Sequence, residues 1–165
     1  MKTSTLFKWL AILLIASQAF SCSRKTVPVP AKMVPGSTAK VNFLEESDGT
    51  ITARAIGVGS TQDDAINDAE KNTFDVILFR GLPNSDQKTA LIGTDESEEK
   101  VRHKEYFKQF YLERRYKTFL MSSVPTSSLV EYEGGEKSIG VDIKINLISL
   151  RKDLEQNDII RKFGF

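Results

Sequence analysis

Residues 50–79, TITARAIGVGSTQDDAINDAEKNTFDVILF, decide the fold. Residues 50–59 are typical of a strand, because Ile51, Ala53 and Ala55 alternate on one face and further apolar residues fall on the other. Apolar character on both faces, together with small residues and glycines, predicts an interior strand that is closely covered by a helix.

A helix is predicted to follow at once and to end at about Phe79. Thr61 is a typical N-cap, and acids in the first turn suit the positive end of the helix dipole. At 3.6 residues per turn, one helix face is small and apolar, while the opposite face is acidic. We expect the acidic face to be solvated helix surface rather than a metal site. The apolar face comprises Ala65, Ile66, Ala69, Thr73, Val76 and Ile77, and the acidic face comprises Asp64, Asp68, Lys71 and Asp75.

Gly57-x-Gly59-x-Thr61, followed by Ala65 and Ala69, resembles a strand–helix unit of the form G-x-G-x-[ST]-x3-A-x3-A. That unit occurs in small membrane-associated lipoproteins and in the N-terminal domain of the flagellar assembly protein T family. The resemblance covers about residues 50–80. It implies an α+β domain with an envelope-assembly or structural role, and it carries over no catalytic residue. The third glycine of a dinucleotide fingerprint is missing and no Gly-Lys-Ser/Thr follows, so no cofactor is predicted.

Residues 1–21 are predicted to be an export signal, which ends before the only cysteine, Cys22. Lys2 and Lys8 accompany a short uncharged apolar run that is too short to span a bilayer as a helix. Ala19-Phe20-Ser21-Cys22 resembles the lipobox of bacterial lipoproteins, in the loose form that is familiar in Bacteroidetes-type envelope lipoproteins. The resemblance implies cleavage before Cys22 and acylation of its thiol, which would hold the protein on a membrane.

Two other interpretations of this segment stay open. Ala19-x-Ser21 also suits an ordinary signal peptidase, which would release a soluble protein, and the apolar run could remain as an uncleaved anchor. Residues 22–40 are predicted to be a lipidated cysteine and a tether, since three prolines favour an extended chain. An acidic run after the cysteine, similar to the surface-export signal of many such lipoproteins, is missing. We therefore expect the domain to face the periplasm from the outer membrane.

Residues 41–165 are predicted to form one globular domain, in which a second helix covers residues 95–115. Seven basic residues lie between Lys100 and Lys117, and six aromatic residues lie between Tyr106 and Phe119. Rings and cations together suit single-stranded nucleic acid in a cytosolic protein, but the export signal argues against that partner. We expect the rings to form core and the cations to flank it. The alternative is a glycan- or lipid-binding surface, with candidate residues His103, Tyr106, Phe110, Tyr111 and Arg114.

The remaining patterns predict the sheet. A first strand is expected in residues 41–46 and a turn at Asp48-Gly49, and residues 137–147 alternate as a half-buried antiparallel strand. Strands are also predicted in residues 116–124 and 129–132, with a bend at Gly134-Gly135, and a last helix in residues 149–162. The order β-β-α-α-β-β-α predicts an α+β domain, with a mainly antiparallel twisted sheet, helices packed on one face, and the other face partly wet.

Composition argues against most enzyme classes. The chain has 23 basic and 22 acidic side chains, and without Lys2 and Lys8 its formal charge is −1, so no bulk charge attracts nucleic acid. One histidine cannot supply a two-histidine metal site, and neither a calcium loop nor a G-x-S-x-G elbow occurs. Paired-carboxylate glycosidase chemistry stays open. We expect no metal and no catalysis, and a scaffold or assembly module with an envelope protein partner.

Overall fold

The computed structural model describes residues 40–162, and these form a single α+β domain with a five-stranded antiparallel sheet. The predicted signal, Cys22 and the tether lie outside the described residues. The sheet order is β1-β2-β5-β3, with β4 also paired to β5, and every neighbouring pair is antiparallel. The predicted fold class is confirmed. The strands are β1 (Val41–Ser47), β2 (Thr50–Gly59), β3 (Leu120–Pro125), β4 (Val130–Glu131) and β5 (Lys137–Asn146).

Within residues 40–162, four α-helical elements accompany the sheet, with a π-helical segment and a 3-10 segment between the third helix and β3. Among residues 40–162, no helix is both long enough and apolar enough to cross a bilayer. The helices are α1 (Gln62–Phe79), α2 (Glu96–Arg102), α3 (Lys104–Phe107) and α4 (Leu147–Gln156). The π segment is Lys108–Leu112, and the 3-10 segment before β3 is Arg115–Phe119.

Helix α1 lies in direct backbone contact with β2. A Cβ atom on Gly57 would lie 1.8 Å from the carbonyl oxygen of Ala65, and one on Gly59 would lie 2.6 Å from the amide nitrogen of Ala65. Ala65 and Ala69 are completely buried at this contact. The two glycines therefore serve close helix–strand packing, and the predicted interior strand under a helix is confirmed.

The inner face of the sheet and α1 build the core. Fully buried residues of β2 lie opposite fully buried residues of β5, as in the pair Ala53 and Ile143, while intervening residues such as Thr52 and Lys144 point outward and are partly exposed. The half-buried strand predicted in residues 137–147 is confirmed, because its period of two places all the large aliphatic side chains on one face.

The acidic face of α1 differs from the prediction of a solvated surface. Asp68 accepts a hydrogen bond from the backbone N–H of Val58 at 3.0 Å. The side chain of Asp75 is only 22% exposed and contacts Lys100 and Tyr111. The prediction is wrong for these two residues because β2 and the 95–119 segment cover the flank of α1 on which they lie.

The single helix predicted for residues 95–115 is also wrong. His103 leaves helical geometry, with φ −112° and ψ 41°, and Arg114 takes a left-handed conformation, with φ 59°. Phe110 and Phe119, which are nine residues apart, would be separated by about 14 Å along a continuous helix. Their ring centroids are in fact 6.1 Å apart, so ring packing in the core requires the breaks. The 3-10 segment also delays the strand predicted from residue 116, and β3 begins at Leu120.

The last helix begins earlier and ends earlier than predicted. The side chain of Asn146, the last residue of β5, accepts a hydrogen bond from the N–H of Ser149 at 2.9 Å, so Asn146 is the N-cap instead of Ser149. The helix ends at Gln156, and a left-handed Asp158, with φ 53°, turns the chain away. The predicted turns at Asp48-Gly49 and Gly134-Gly135 are present, all four residues having positive φ.

Both edges of the sheet are irregular. The pairing of β1 with β2 shifts between Phe43 and Glu45, and the pairing of β3 with β5 shifts between Leu120 and Ser122. Strands β3 and β4 pair successively with β5 as one edge strand, interrupted by residues 126–129. Bulges and a proline on edge strands hinder the addition of a further strand. Strand addition at either edge of the sheet is therefore hindered.

Candidate functional sites: the aromatic–basic segment and the open sheet face

The aromatic side chains of residues 106–119 belong to the core. Phe110 is completely buried, and Tyr106 and Phe107 are 8% and 4% exposed. Phe110 packs edge-to-face on Phe74 of α1, with ring centroids 5.4 Å apart. Such pairs stabilise by about 0.5–1.5 kcal/mol beyond their buried area. The prediction that these rings form core is confirmed, so they do not form an exposed stacking surface for a sugar ring.

Two tyrosine hydroxyls fasten the segment to neighbouring helices. Tyr106 donates to Asp153 of α4 at 2.8 Å, and Tyr111 donates to Asp75 of α1 at 2.5 Å. Burial raises the pKa of both tyrosines above the ordinary value, and the adjacent carboxylates raise each pKa further. Both hydroxyls therefore stay protonated and act as permanent donors to their carboxylates.

Four of the seven basic residues are used within the domain. Lys100 pairs with Asp75 at 3.3 Å, and Lys117 pairs with Glu70, which is 3% exposed, at 3.2 Å. A buried carboxylate such as Glu70 needs this partner, because an unpaired buried charge is strongly destabilising. The other two are Arg102, which pairs with Glu98 and Glu99, and Arg115, which pairs with Asp153.

The five predicted site residues do not form one site. Three of them, Tyr106, Phe110 and Tyr111, meet in the ring cluster. His103 lines a cleft of about 410 Å³ beside Tyr106, and its Nε2 lies 3.7 Å from a carboxylate oxygen of Glu99. Arg114 instead lines a different cleft of about 300 Å³, next to Lys117 and α1.

Neither cleft assembles groups with an evident reaction. The lining of each contains no Ser, Thr or Cys that a neighbouring base would activate. Among residues 40–162, no group of three or more His, Cys, Asp or Glu side chains is placed to hold a metal ion. The clefts therefore offer charged and polar contacts, without an arrangement that indicates a particular chemistry.

A second candidate surface is the outward face of β2, β5, β3 and β4, which we call the open face. It carries Val124 on β3 and Val130 on β4, which are 54% and 44% exposed. Met121, which is 55% exposed, is the unpaired residue at the register shift of β3. Val130 lies opposite Ser138, which in turn lies opposite the partly buried Val58 of β2. Val124 and Val130 thus lie opposite β5 positions four residues apart, and the side chains of Thr126 and Ser127 lie beside Gly140 between them.

An ion pair lies within the open face. Arg54 donates from Nε and Nη2 to the two carboxylate oxygens of Asp142 at 2.7 and 2.9 Å. The hydrogen bond and the negative charge of Asp142 raise the pKa of Arg54, so its guanidinium is always charged. Val124 pairs with Asp142 in the sheet register, which places the aliphatic and ionic groups side by side.

Sequence reasoning predicted a partly wet face but missed its apolar residues. The clean alternation of β5 identifies the wet side of that strand. Met121 and Val124 belong to β3, where the shift between Leu120 and Ser122 interrupts the alternation. The only signal in the sequence was a pair of large apolar residues, Met121 and Val124, within a strand rich in serine. No protein-family model, no curated protein and no solved structure matches this chain.

Proposed function

We propose that this chain is a lipid-anchored envelope protein whose α+β domain acts, without catalysis, as a scaffold or assembly module for a protein partner. In this proposal Cys22 carries the lipid and the domain faces the periplasm from the outer membrane. The sequence of residues 1–22 supports the location. The observation that carries the partner is the open face, with Val124 and Val130 in solvent and Met121 exposed at the register shift of β3.

The chemistry of the open face suits a protein partner. Covering an exposed aliphatic side chain contributes about 25 cal/mol for each Å² removed from water. Methionine is enriched at protein interfaces, and three large apolar side chains of β3 and β4 are about half exposed here. Arg54 and Asp142 add a polar pair at the same surface, whose charges compensate each other and whose remaining hydrogen-bonding capacity can orient a partner.

The alternative of a glycan- or lipid-binding module is less well supported. It needs the rings of Tyr106, Phe110 and Tyr111 at the surface, where they would stack on a sugar or contact lipid. Phe110 is completely buried and Tyr106 nearly so, and the tyrosine hydroxyls are engaged with Asp153 and Asp75. The cleft beside His103 remains for that alternative, but its lining includes no exposed ring.

Photo-crosslinking in intact envelopes tests the partner. A photoreactive phenylalanine analogue at Val124 should give one discrete, saturable adduct, whereas the same analogue at the exposed Lys152 of α4 should give none. Val130→Asp should reduce the Val124 adduct, because it places a charge on the same side of the sheet, where the partner is expected to bind. Equal labelling from positions 124 and 152, or no adduct from either, would contradict the proposal.

Intact-mass analysis of the membrane fraction tests the anchor separately. The expected species begins at Cys22 and carries the added mass of acyl chains, since stable anchoring takes more than one chain. Cys22→Ser should leave the protein uncleaved or release it from the membrane. A mature species that begins at Cys22 without acyl mass would refute the lipid anchor while leaving the open face to be tested by crosslinking.

A further inference from the structure

The ammonium group of Lys100 lies between two aromatic rings and two carboxylates. The nearer carboxylate is that of Glu96, one turn earlier on α2, at 2.7 Å. The Nζ atom of Lys100 also lies 4.5 Å from the ring centroid of Tyr111, 5.2 Å from that of Phe79, and 3.3 Å from Oδ1 of Asp75. A cation within about 6 Å of a ring centroid is attracted by the ring's electron density, and more strongly when water is excluded. We call Phe79, Tyr111 and Asp75 the ammonium box.

The walls of the ammonium box are held in place without Lys100. Asp75 and Phe79 lie one turn apart on α1, and Phe79 is 1% exposed. Tyr111 is fixed by its 2.5 Å hydrogen bond to Asp75 and by stacking on Phe107, with centroids 6.1 Å apart. The ammonium box is therefore built by α1 and the π segment, whereas its occupant comes from α2.

Helix α2 is held to the rest of the domain by few and polar contacts. It buries none of its residues, and its single large apolar side chain, Val101, is 77% exposed. Besides the contacts of Lys100, Arg80 of α1 reaches Glu96 at 3.4 Å, with both side chains 32% exposed. Exposed ion pairs of this kind contribute about 0–1 kcal/mol and weaken with added salt. Lys100 and its helical partner Glu96, 2.7 Å apart, therefore belong to one weakly held helix, and detachment of α2 would remove both from the ammonium box.

Removing the ammonium would leave the carboxylate of Asp75 poorly compensated. Burial raises the pKa of Asp75, while the Tyr111 hydroxyl and Lys100 lower it, and Glu96 nearby raises it. Without Lys100, the Tyr111 hydroxyl would be the one remaining donor to Asp75 from the described residues, against the cost of burying the charge. A buried carboxylate between two rings then favours another compact cation in the same place.

We propose that the ammonium box is a binding site for the lysine side chain of a partner protein, occupied by Lys100 in the resting domain and vacated when α2 detaches. The inference rests on the proposed function, because it assigns one contact to the protein partner. The incoming lysine can bind only those molecules in which α2 is detached. Its apparent affinity is therefore the intrinsic affinity of the box multiplied by the fraction of such molecules. Partner binding and release of α2 are thereby coupled.

Chemical rescue of Lys100→Ala in the full chain tests the site. The atoms that this substitution removes correspond to n-propylammonium, and 1-propanol is a neutral probe of similar shape. NMR of the Tyr111 and Phe79 ring protons should show saturable shifts with n-propylammonium, at an affinity at least about tenfold higher than in the wild type, and none with 1-propanol. N-acetyl-lysine methylamide should behave as n-propylammonium does, and its norleucine analogue as 1-propanol does.

Controls separate the site from a loss of folding. Arg102→Ala removes another cation of α2, which is 55% exposed and outside the box, and should respond to the probes as the wild type does. Phe110 ring resonances report the intact core, and Lys100→Ser is the second variant if Lys100→Ala does not fold. Glu96→Gln is added to Lys100→Ala throughout, because Glu96 also contacts the Lys100 ammonium, at 2.7 Å. In that background, adding Asp75→Asn should abolish the rescue.

Two outcomes would overturn the inference. One is a folded Lys100→Ala protein without saturable ring shifts, and the other is binding that persists after Asp75→Asn. Neither depends on crosslinking from Val124, so failure of the ammonium box is distinguishable from failure of the open face as a partner surface.

Discussion

Residues 50–79 and residues 95–119 both place an apolar surface against the same core, but they do so by different means. In β2 and α1 the local pattern and the final geometry agree: two glycines and two buried alanines let regular elements touch. In residues 95–119 the helical periodicity is real, yet the chain forms α2, α3, a π segment and a 3-10 segment in succession. Small side chains pack closely between elements of regular backbone geometry, whereas six large rings pack together only where the backbone departs from a regular helix.

The contrast shows where backbone geometry yields to side-chain packing. Because the facing residues of α1 and β2 are small, the backbones of the two elements touch directly, and both keep regular geometry. Phe110 instead contacts five rings, at centroid distances from 5.0 to 6.4 Å, in addition to the Phe74 ring at 5.4 Å. Burying these rings together outweighs the loss of regular helical hydrogen bonds at the breaks.

Truncating a ring of the cluster should change the free energy of unfolding more than any other substitution in the two regions. Phe110→Ala should lower the free energy of unfolding by about 3 to 5 kcal/mol, because it removes a buried ring and leaves a cavity. Urea denaturation measures the change. Leu112→Ala, two residues away with the side chain 75% exposed, is the matched control and should change stability by less than about 0.5 kcal/mol. Equal effects would mean that the rings do not carry the core of this segment.

Adding one methyl group to the strand–helix contact should have the next largest effect. The Cβ of Gly57→Ala would meet backbone atoms of α1 at 1.8 and 2.6 Å, so α1 must lift from β2 at a cost of about 3 kcal/mol. Thermal or urea unfolding measures this loss. Gly134→Asn is the control, since no atom lies within 4 Å and asparagine tolerates the positive φ of 74°. A neutral Gly57→Ala would show that the glycine is not required for close packing.

Relieving the strained turn should stabilise the irregular region. Arg114 has φ 59° after the π segment, where glycine is the usual residue, and the left-handed conformation costs an ordinary residue about 1–2 kcal/mol. After glycine's greater chain entropy is subtracted, Arg114→Gly should raise the free energy of unfolding by about 1 kcal/mol or less. The neighbouring Glu113→Gly, at φ −86°, should instead lower it. If both substitutions destabilise equally, the turn at residue 114 is not strained.

Titration of Asp75, which lies at the contact between the two regions, should have the smallest effect on the free energy of unfolding. Burial raises the native pKa of Asp75 above its unfolded value of about 3.9. At any pH between the unfolded and the native pKa, the folded state therefore binds more protons than the unfolded state. This contribution to stability is fully present below the unfolded pKa and is lost as pH rises through the native pKa. Asp75→Asn lacks it, so the stability of the variant relative to the wild type should increase from pH 4 to pH 7. Urea unfolding across that range measures the difference, and a difference that is constant with pH would contradict the raised pKa.

Sequence alone predicted those parts of the fold whose determinants are neighbours along the chain. Thr61 caps α1 by a bond to the N–H three residues on, Asp48-Gly49 turns the chain between β1 and β2, and the alternation of β5 marks its buried side. Hydrogen-bonding reach and periodicity are local properties, so these elements follow from local patterns. The sequence also carries the whole basis for the proposed anchor at Cys22.

Tertiary structure decided the features that depend on residues distant in the chain. The register of β3 against β5 exposes Val124 beside Asp142, and the ring cluster breaks the helix predicted in residues 95–115. Lys100 meets Asp75 and Phe79, which precede it by more than twenty residues, and no periodicity within either segment indicates that meeting. Periodicity states which side of an element is apolar, but only the packed chain determines which partners that side meets, because contact energies between distant residues depend on the geometry of all the elements together.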